Sequence, residues 1–268
     1  MRIILTFVKM QYGICLLSVV PCRKEPSGTS EMVTQLLFGD YYRVLTVQDD
    51  WLHIEIAYDL YHCWISIKQH FKITENSFKH LQKSPWPLNA ALVSTITNQQ
   101  SGQSFQLTLG ATLPFLQAGQ IRFENYAFAY EGAVQDGSHK KSAEDILHTA
   151  NQLLHAPYLW GGKSPFGIDC SGFTQVVYKL NGYKLPRDAN QQVNLGEPLS
   201  FVEEAEAGDL AFFDNEEGRI VHVGILLNNQ SIIHASGYVR VDKFDHYGIF
   251  NQDTGKYSHT LRVIKRLL

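Results

Sequence analysis

The sequence predicts an α+β protein, in which a β-rich first half is followed by a second half that combines helices with strands. Short apolar stretches separated by polar turns run as far as about residue 135. Two stretches with helical spacing lie between residues 142 and 181, and strand patterns resume after residue 208. A chain of 268 residues that is 44% hydrophobic can form two domains or three small ones.

The first twenty residues have two interpretations. They are largely apolar and carry Arg2 near the start, as in a signal peptide, but no small-residue cleavage site follows directly. Residues 14–20 have the composition of a β-strand, and this is the interpretation that we favour. The expected localisation is therefore cytoplasmic, with a periplasmic or secreted protein as the alternative if the stretch is a signal.

Residues 1–75 predict a small β-barrel. Leu52, Ile54 and Ile56 alternate with polar residues, which is the period of a half-buried strand. Short strands separated by polar turns at this spacing are typical of small barrels. The predicted strands are residues 14–20, 34–38, 42–47, 51–57 and 63–67.

A second set of strand patterns follows the Pro85-Trp-Pro87 segment. It covers residues 91–97, 104–109 and 119–123, with a Ser101-Gly102 turn between the first two. We therefore expect a second small β-module over residues 76–135.

The third predicted domain, residues 136–268, begins with two helices. Ser142 and Asp145 have the spacing of a capping box, which predicts a helix over 143–155 that ends before Pro157. Apolar residues on one face predict a second helix over 171–180. Strands are predicted at 209–213, 220–227 and 231–235.

Cys170 precedes the second helix. There the unpaired N–H groups and the helix dipole would lower the pKa of the thiol toward the nucleophilic thiolate. The alternative is that Cys170 only extends the apolar face of that helix into the core. The other cysteines, Cys15, Cys22 and Cys63, form no CxxC pair and are expected to be buried free thiols.

Two histidines follow in neighbouring strands. The first strand alternates, so Val221 and every second residue after it are expected to face the core, which puts His222 on the other face. If residues 228–230 form a three-residue hairpin loop, Leu227 lies opposite Ser231, and His222 becomes the diagonal neighbour of His234 on one sheet face. A thiol and two such histidines can supply a nucleophile, a base and a group that orients the base. A zinc site formed by Cys170, His222 and His234, completed by water, is the alternative.

The composition restricts the partners. The net charge is −3 and no long basic run is present, which argues against nucleic acid as a partner. No stretch approaches the roughly 18 consecutive apolar residues of a membrane-spanning helix. The thiol mechanism requires no metal and no other cofactor.

These motifs resemble those of a known family. The motifs are Asp169-Cys-Ser-Gly-Phe173, His222-Val-Gly224 and His234-Ala-Ser236, supported by Tyr158-Leu-Trp-Gly-Gly162, Pro186-Arg-Asp188 and Ala207-Gly-Asp-Leu-Ala-Phe212. Over residues 140–268 the chain resembles the NlpC-type (NlpC/P60) cell-wall cysteine peptidases. The first half, through Trp51, Tyr61 and Trp64, resembles bacterial SH3-type barrels more loosely.

The resemblance implies a papain-like catalytic domain preceded by one or two SH3-like barrels. It implies a triad of Cys170, His222 and His234, and an endopeptidase that cleaves between γ-D-glutamate and a diamino acid in murein peptides. The expected substrates are short peptides with a free N-terminal L-Ala, as in cell-wall recycling. Two rivals stay open: a related thiol amidase or acyltransferase that acts on another amide or a lipid, and a catalytically inert wall-binding protein.

The resemblance also implies substrate-binding residues. They are Tyr158, Asp169, Ser171 and Asp188, with Glu31 and Tyr61 as candidates from the SH3-like domain. Each has a structural alternative: packing for Tyr158, helix capping for the two residues that flank the cysteine, and a surface turn for Asp188. Ala189 departs from the family pattern, in which a serine is common at this position.

Overall fold

The computed structural model describes residues 11–83 and 85–268. These residues form two compact units, one through Val134 and one from Gln135 to Leu268. The first ten residues of the predicted signal or strand region lie outside the described residues. Within the described part of the chain, no helix is long and apolar enough to cross a membrane.

The described part of the N-terminal unit is built almost entirely from short strands, with one α-helix, α1 (Glu75–Leu81), and a 3-10 turn at Ile67–Gln69. The strands up to the boundary are β1 (Gln11–Ile14), β2 (Val19–Arg23), β3 (Met32–Leu37), β4 (Tyr41–Gln48), β5 (Trp51–Ile56), β6 (His62–Ser66), β7 (Phe71–Ile73), β8 (Leu88–Asn89), β9 (Val93–Asn98), β10 (Ser104–Thr108), β11 (Leu116–Gln117), β12 (Gln120–Phe123), β13 (Tyr126–Glu131) and β14 (Val134–Gln135). One antiparallel sheet has the order β3-β2-β6-β5-β4-β1-β7, and a second has the order β10-β9-β13-β12-β11.

The alternation predicted for β5 is confirmed. Leu52, Ile54 and Ile56 are all at most 2% exposed and pack in one apolar cluster. Cys15, Cys22 and Cys63 lie in the same cluster as buried free thiols, as expected. The predicted strands at 34–38, 42–47, 51–57 and 63–67 correspond to β3, β4, β5 and β6.

The strand predicted over residues 14–20 is wrong. The chain ends β1 at Ile14, turns, and begins β2 at Val19. The turn is held where the Cys15 N–H donates to the Asp40 carbonyl oxygen and the Gly39 N–H donates to the Cys15 carbonyl oxygen. Residues 14–20 are apolar because the turn is buried along with the strand ends. A run of apolar residues therefore cannot distinguish one continuous strand from two strands joined by a buried turn.

The two sheets of the N-terminal unit share one core cluster. Ile14 and Phe38, from the first sheet region, pack in the same cluster as Ile96 and Phe128 from the second. The predicted strands at 91–97, 104–109 and 119–123 correspond to β9, β10 and β12. The division of this unit into modules at residues 75 and 76 remains a prediction.

The second unit combines three helices with a closed ring of strands. Its elements are α2 (Ala143–Gln152), β15 (Lys163–Ser164), β16 (Gly167–Ile168), α3 (Cys170–Leu180), α4 (Ala189–Gln192), β17 (Glu197–Pro198), β18 (Leu210–Asp214), β19 (Ile220–Asn228), β20 (Ser231–Ser236), β21 (Tyr238–Asp245), β22 (Gly248–Asn251) and β23 (Lys256–Arg266). The main sheet has the order β17-β23-β18-β19-β20-β21-β22, and β22 also pairs with β23. The strands β18 to β23 therefore close on themselves.

Both predicted helices are present. Ser142 and Asp145 form the capping box of α2, and this helix ends at Gln152, three residues earlier than predicted. Helix α3 begins at Cys170 itself, one residue before the predicted start. All of its residues except Lys179 are buried, so it is a central helix rather than one with a single apolar face.

Strand β19 is buried on both faces over residues 222–226, which corrects the alternation expected for it. Val221 was expected to face the core but is 50% exposed, whereas His222 is 5% exposed. The hairpin loop is shorter than predicted, because Asn228 pairs with Ser231. A bulge at Leu227 absorbs one residue, so Ile225 lies opposite Ile233 in the expected register. The bulge thus keeps His222 diagonal to His234 despite the shorter loop.

Candidate active site

Asp169 fixes the loop that leads into Cys170. It is the N-cap residue of α3, and its Oδ1 accepts a hydrogen bond from the Gly172 N–H at 2.7 Å. Its Oδ2 accepts one from the Gly161 N–H at 2.8 Å. A Cβ on Gly172 would lie 2.3 Å from the Gly162 carbonyl oxygen, so the missing side chain lets this loop reach the helix.

Arg187, which the sequence reasoning did not identify, forms a buried ion pair with Asp169. The guanidinium is 1% exposed and contacts Oδ1 at 3.0 Å and Oδ2 at 2.6 Å. It also donates to Ser171 Oγ at 2.8 Å. With the two backbone donors, these contacts fill the acceptor sites of the carboxylate. This arrangement agrees with the capping alternative, and substrate binding by Asp169 or Ser171 remains a prediction.

The Cys170 thiol is buried beside β19, with 6% of the residue exposed. Burial raises the pKa of this thiol to about 12, and the negative charge of Asp169 adds to the effect. Backbone hydrogen bonds from Val223 and Ser171 favour the thiolate but do not outweigh burial. The pKa lowering expected at the helix start is therefore wrong for this resting protein, because desolvation exceeds the effect of the N–H groups.

His222 and His234 are in direct contact. His222 Nε2 lies 2.9 Å from His234 Nδ1, and the two rings meet edge to face. A Cβ on Gly224 would lie 2.9 Å from the His234 Cβ, so the glycine between them allows this approach. His234 Nε2 lies in turn 3.0 Å from Asp242 Oδ2 on β21, a contact that the sequence reasoning missed.

A third histidine, His259 on β23, also belongs to the site and was not foreseen. Its ring stacks on that of His222 with centroids 4.0 Å apart. Burial lowers the pKa of His222 well below its usual value, and the neighbouring His259 and His234 add to the effect. Burial, followed by the charge of His234, lowers the pKa of His259 to about 4. The His222 and His259 imidazoles thus sit where added positive charge is unfavourable.

The three histidines are also the group in the described residues that could hold a metal ion. One ring nitrogen from each lies within 4.8 Å of the others. The alternative metal site expected from the sequence used Cys170 in place of His259. Two of the nitrogens, His222 Nε2 and His234 Nδ1, already share a hydrogen bond. A metal at this position would have to break that bond.

Tyr158 and Asp188 lie on the same unit as Cys170. Tyr158 is half-buried, and burial raises the pKa of its hydroxyl to about 12, with smaller contributions from Cys170 and Asp169. These electrostatic effects place the tyrosine near the thiol. Asp188 is half-buried and precedes α4, where its backbone N–H donates to Gln191 Oε1 at 3.3 Å. Contact of either side chain with substrate remains a prediction.

Glu31 and Tyr61 belong to the N-terminal unit. Glu31 Oε2 forms an exposed ion pair with Lys24 Nζ at 3.2 Å. Tyr61 is partly buried against the cluster that contains β5. Their predicted access to the substrate cleft remains a prediction.

Comparison with known proteins agrees with this division of the chain. The NlpC/P60 family matches residues 155–258, and the bacterial dipeptidyl-peptidase SH3 domain matches residues 22–69. A solved NlpC/P60 family protein from Bacillus cereus superposes with a TM-score of 0.80 at 20% identity, covering 95% of this chain and 99% of that one. These matches confirm the predicted α+β fold with an SH3-like β domain before the catalytic domain.

Named relatives cover most of the chain. A gamma-D-glutamyl-L-lysine dipeptidyl-peptidase of Bacillus subtilis is 30% identical over 217 residues, which are 75% of this chain and 71% of that protein. A protein of the same name from Bacillus cereus is 27% identical, covering 78% and 68%. Dipeptidyl-peptidase 6 of Lysinibacillus sphaericus is 25% identical, covering 85% and 90%.

The fold and these similarities define a hydrolase of the peptidase type, with an SH3-like β domain in front of its catalytic domain. The chain belongs to the NlpC/P60 family, as the sequence motifs predicted.

Proposed function

We propose that the protein is a cysteine-type endopeptidase that hydrolyses the amide between γ-D-glutamate and a diamino acid in short murein peptides. The observation that carries the proposal is the arrangement of Cys170, His222 and His234. The thiol lies at the start of a buried helix against β19, and the two imidazoles from β19 and β20 share a 2.9 Å contact. The proposed substrate class comes from the names of two relatives, each a gamma-D-glutamyl-L-lysine dipeptidyl-peptidase.

In the proposed reaction the resting thiol and imidazole are both neutral. His222 accepts the thiol proton as the Cys170 sulfur attacks the carbonyl carbon, and backbone N–H groups of the first turn of α3 stabilise the oxyanion. His222 then gives the proton to the leaving amine, and the C–N bond breaks. Water, activated by the same imidazole, hydrolyses the thioester and returns the thiol. His234 holds the His222 ring in position throughout.

The substrate would be a short peptide with a free N-terminal L-Ala, rather than intact wall. A desolvated contact between its ammonium group and a protein carboxylate is charge-assisted, and such hydrogen bonds are worth roughly 1.5–3 kcal/mol. Asp169 is the first candidate carboxylate and Glu31 the second; Asp169 would have to release one of the donors described above, and Glu31 its Lys24 partner. Tyr61 and Tyr158 are the aromatic candidates to line the cleft, and Asp188 is a polar one.

The experiment compares two tripeptides, L-Ala-γ-D-Glu-L-Lys with a free amine and the same peptide N-acetylated. Acetylation removes the charge and adds bulk, so kcat/KM should fall by at least about tenfold, the factor that corresponds to roughly 1.4 kcal/mol. The expected products of the free peptide are L-Ala-D-Glu and lysine. Equal rates on both peptides, or efficient digestion of intact sacculi, would contradict the short-peptide assignment.

A cytoplasmic location would suit an enzyme that acts on recycled peptides. The presence of Cys15, Cys22, Cys63 and Cys170 as free thiols supports it, because reducing compartments keep cysteines in this state. Fractionation of cells that produce the full chain tests this, and recovery of the protein outside the cytoplasm would contradict it.

A further inference from the structure

The His222–His234 contact continues to a third group, the Asp242 carboxylate. Strand β21 lies beside β20, with Arg240 opposite His234 and Asp242 opposite Ile232. Asp242 is thus the diagonal neighbour of His234, and its Oδ2 lies 3.0 Å from His234 Nε2. Both side chains of this pair are 1% exposed.

Arg240 holds the same carboxylate from its other side. Arg240 Nε lies 2.8 Å from Asp242 Oδ2, and Nη2 donates to Oδ1 at 2.9 Å. Arg240 Nη1 also pairs with Asp253 at 2.7 Å. Burial alone would raise the pKa of Asp242, but the hydrogen bonds from His234 and Arg240 lower it below its usual value. A carboxylate in these contacts is ionised and can only accept hydrogen bonds.

The tautomers of both histidines follow from this carboxylate. Since Asp242 can only accept, His234 Nε2 carries a proton, and with a single proton on this ring its Nδ1 is an acceptor. His222 Nε2 faces that acceptor at 2.9 Å and must therefore be the donor. Neutral His222 is then left with its lone pair on Nδ1, the ring nitrogen nearest its own backbone. The backbone of Val223, the residue after His222, hydrogen-bonds the Cys170 sulfur. The sulfur therefore lies on the side of His222 that carries its backbone and Nδ1.

We propose that Asp242, held ionised by Arg240, is a positioning residue that fixes the tautomers of His234 and His222 and so directs the basic nitrogen of His222 toward Cys170. The inference rests on the proposed function, because it assigns a role within the same site. Asp242 would not touch substrate, and its effect would pass through two imidazoles.

The first test reads the tautomers directly and needs no substrate. Long-range proton–nitrogen correlation spectra of the 15N-histidine-labelled full chain, at pH 7.5, report which ring nitrogen carries the proton. The signals are assigned with His222→Gln and His234→Gln variants. We expect both His222 and His234 to be protonated at Nε2. Protonation of either ring at Nδ1 alone would overturn the inference, even if the protein hydrolyses the tripeptide.

The second test is the Asp242→Asn variant. The new amide can turn its NH2 group toward His234, which favours the opposite tautomer and leaves His222 without a lone pair facing the thiol. We expect kcat on the tripeptide to fall about 10- to 100-fold, the usual cost of removing an orienting partner, with KM within about twofold. The His234 proton should move to Nδ1 in the spectrum. An unchanged kcat together with an unchanged spectrum would overturn the inference.

Asp209→Asn is the matched control. Asp209 is also buried and also pairs with an arginine, Arg266, at 2.8 Å. It precedes β18, whose other end carries Phe213 opposite His222. Its loss should lower stability but leave the tautomers unchanged. An equal fall of kcat in both variants, with wild-type tautomers in both, would mean that Asp242 is only structural. Absence of tripeptide hydrolysis by the wild-type protein would instead refute the proposed function.

Discussion

The Cys170 thiol is deeply buried at the first residue of α3. It is 6% exposed, and its pKa is raised to about 12, while burial lowers the pKa of His222, so the resting protein holds both groups neutral. A neutral pair differs from a preformed thiolate in one measurable way. The thiolate fraction of a neutral pair continues to rise with pH well above neutrality.

This difference gives the first prediction. The rate at which iodoacetamide labels Cys170 should rise steadily from pH 6 to pH 10, because the thiolate population increases throughout this range. The measurement is peptide mapping by mass spectrometry after timed labelling. A rate that is already constant above pH 7 would contradict the neutral pair and indicate a thiolate–imidazolium pair.

His222 and His234 should differ in how much activity is lost when each is replaced. His222→Ala should remove nearly all activity, because no other group in the proposal accepts the thiol proton. His234→Ala should lower kcat and leave measurable activity, because this ring only positions the base and water can partly replace it. A chelator should leave kcat unchanged in wild-type and variant proteins. Activity that a chelator removes and zinc restores would favour a metal at the three histidines instead.

The three triad candidates could be proposed from the sequence, because each lies in a local motif. Asp242, Arg240 and His259 could not be predicted in the same way. They come from β21 and β23, and their places beside His234 and His222 depend on the closure of the sheet. The raised pKa of Cys170 was missed for a related reason, since burial is set by tertiary packing.

The first turn of α3 is the element that determines where the thiol lies. Asp169 joins this turn to the preceding loop and to Arg187, a residue close to α4. The Arg187 side chain is 1% exposed and the Asp169 side chain 7%. If one of them is lost, water cannot solvate the other at low cost. The glycines of the Trp160-Gly-Gly162 motif are needed to bring the loop to the helix.

Arg187→Met should therefore destabilise the protein strongly. It leaves the Asp169 carboxylate buried without its cation, and breaking a buried pair in this way costs about 3–5 kcal/mol. Urea unfolding of the full chain measures the change. Arg262→Met, which removes an exposed cation 3.7 Å from Asp214, is the control and should cost less than about 1 kcal/mol. Similar small effects from both variants would show that the Arg187 pair does not hold the turn.

The elements themselves were predictable where the pattern was local. The capping box at Ser142 and the alternation in β5 are examples. The predicted alternation in β19 failed because α3 covers this strand from outside the closed sheet, so both faces are buried. Strands β21 to β23 were not predicted, and β23 carries exposed residues along most of its length. Its pairing is determined by the partners β18 and β22 rather than by its own composition.

The whole molecule should lose stability in mild acid. Burial holds the pKa of His222 and His259 below the value of 6.5 expected in the unfolded chain, to about 4 for His259. Between these values the unfolded chain binds protons that the folded protein does not. The free energy of unfolding should therefore have its full value above pH 6.5 and decrease as the pH drops toward 4.

Urea unfolding at a series of pH values tests this prediction. His259→Gln should reduce the fall between pH 6.5 and 4, because it removes one of the two depressed histidines. A free energy of unfolding that stays constant over this range would contradict the burial of neutral imidazoles. Fluorescence and circular dichroism should be recorded together, because the two units can unfold separately.

The order of the parts, a β-rich N-terminal region before an α+β catalytic domain, could be predicted from the change of pattern near residue 140. The shared core of the two N-terminal sheets could not, since Ile14 and Phe128 are far apart in the sequence.

If Cys170 is the nucleophile, alkylating it should abolish the activity. Activity on L-Ala-γ-D-Glu-L-Lys is followed during iodoacetamide treatment, while peptide mapping gives the labelled fraction of each cysteine. Cys15, Cys22 and Cys63 are at most 1% exposed and serve as internal controls. We expect activity to disappear in step with a single label at Cys170. Full activity in protein whose Cys170 is completely labelled would contradict it.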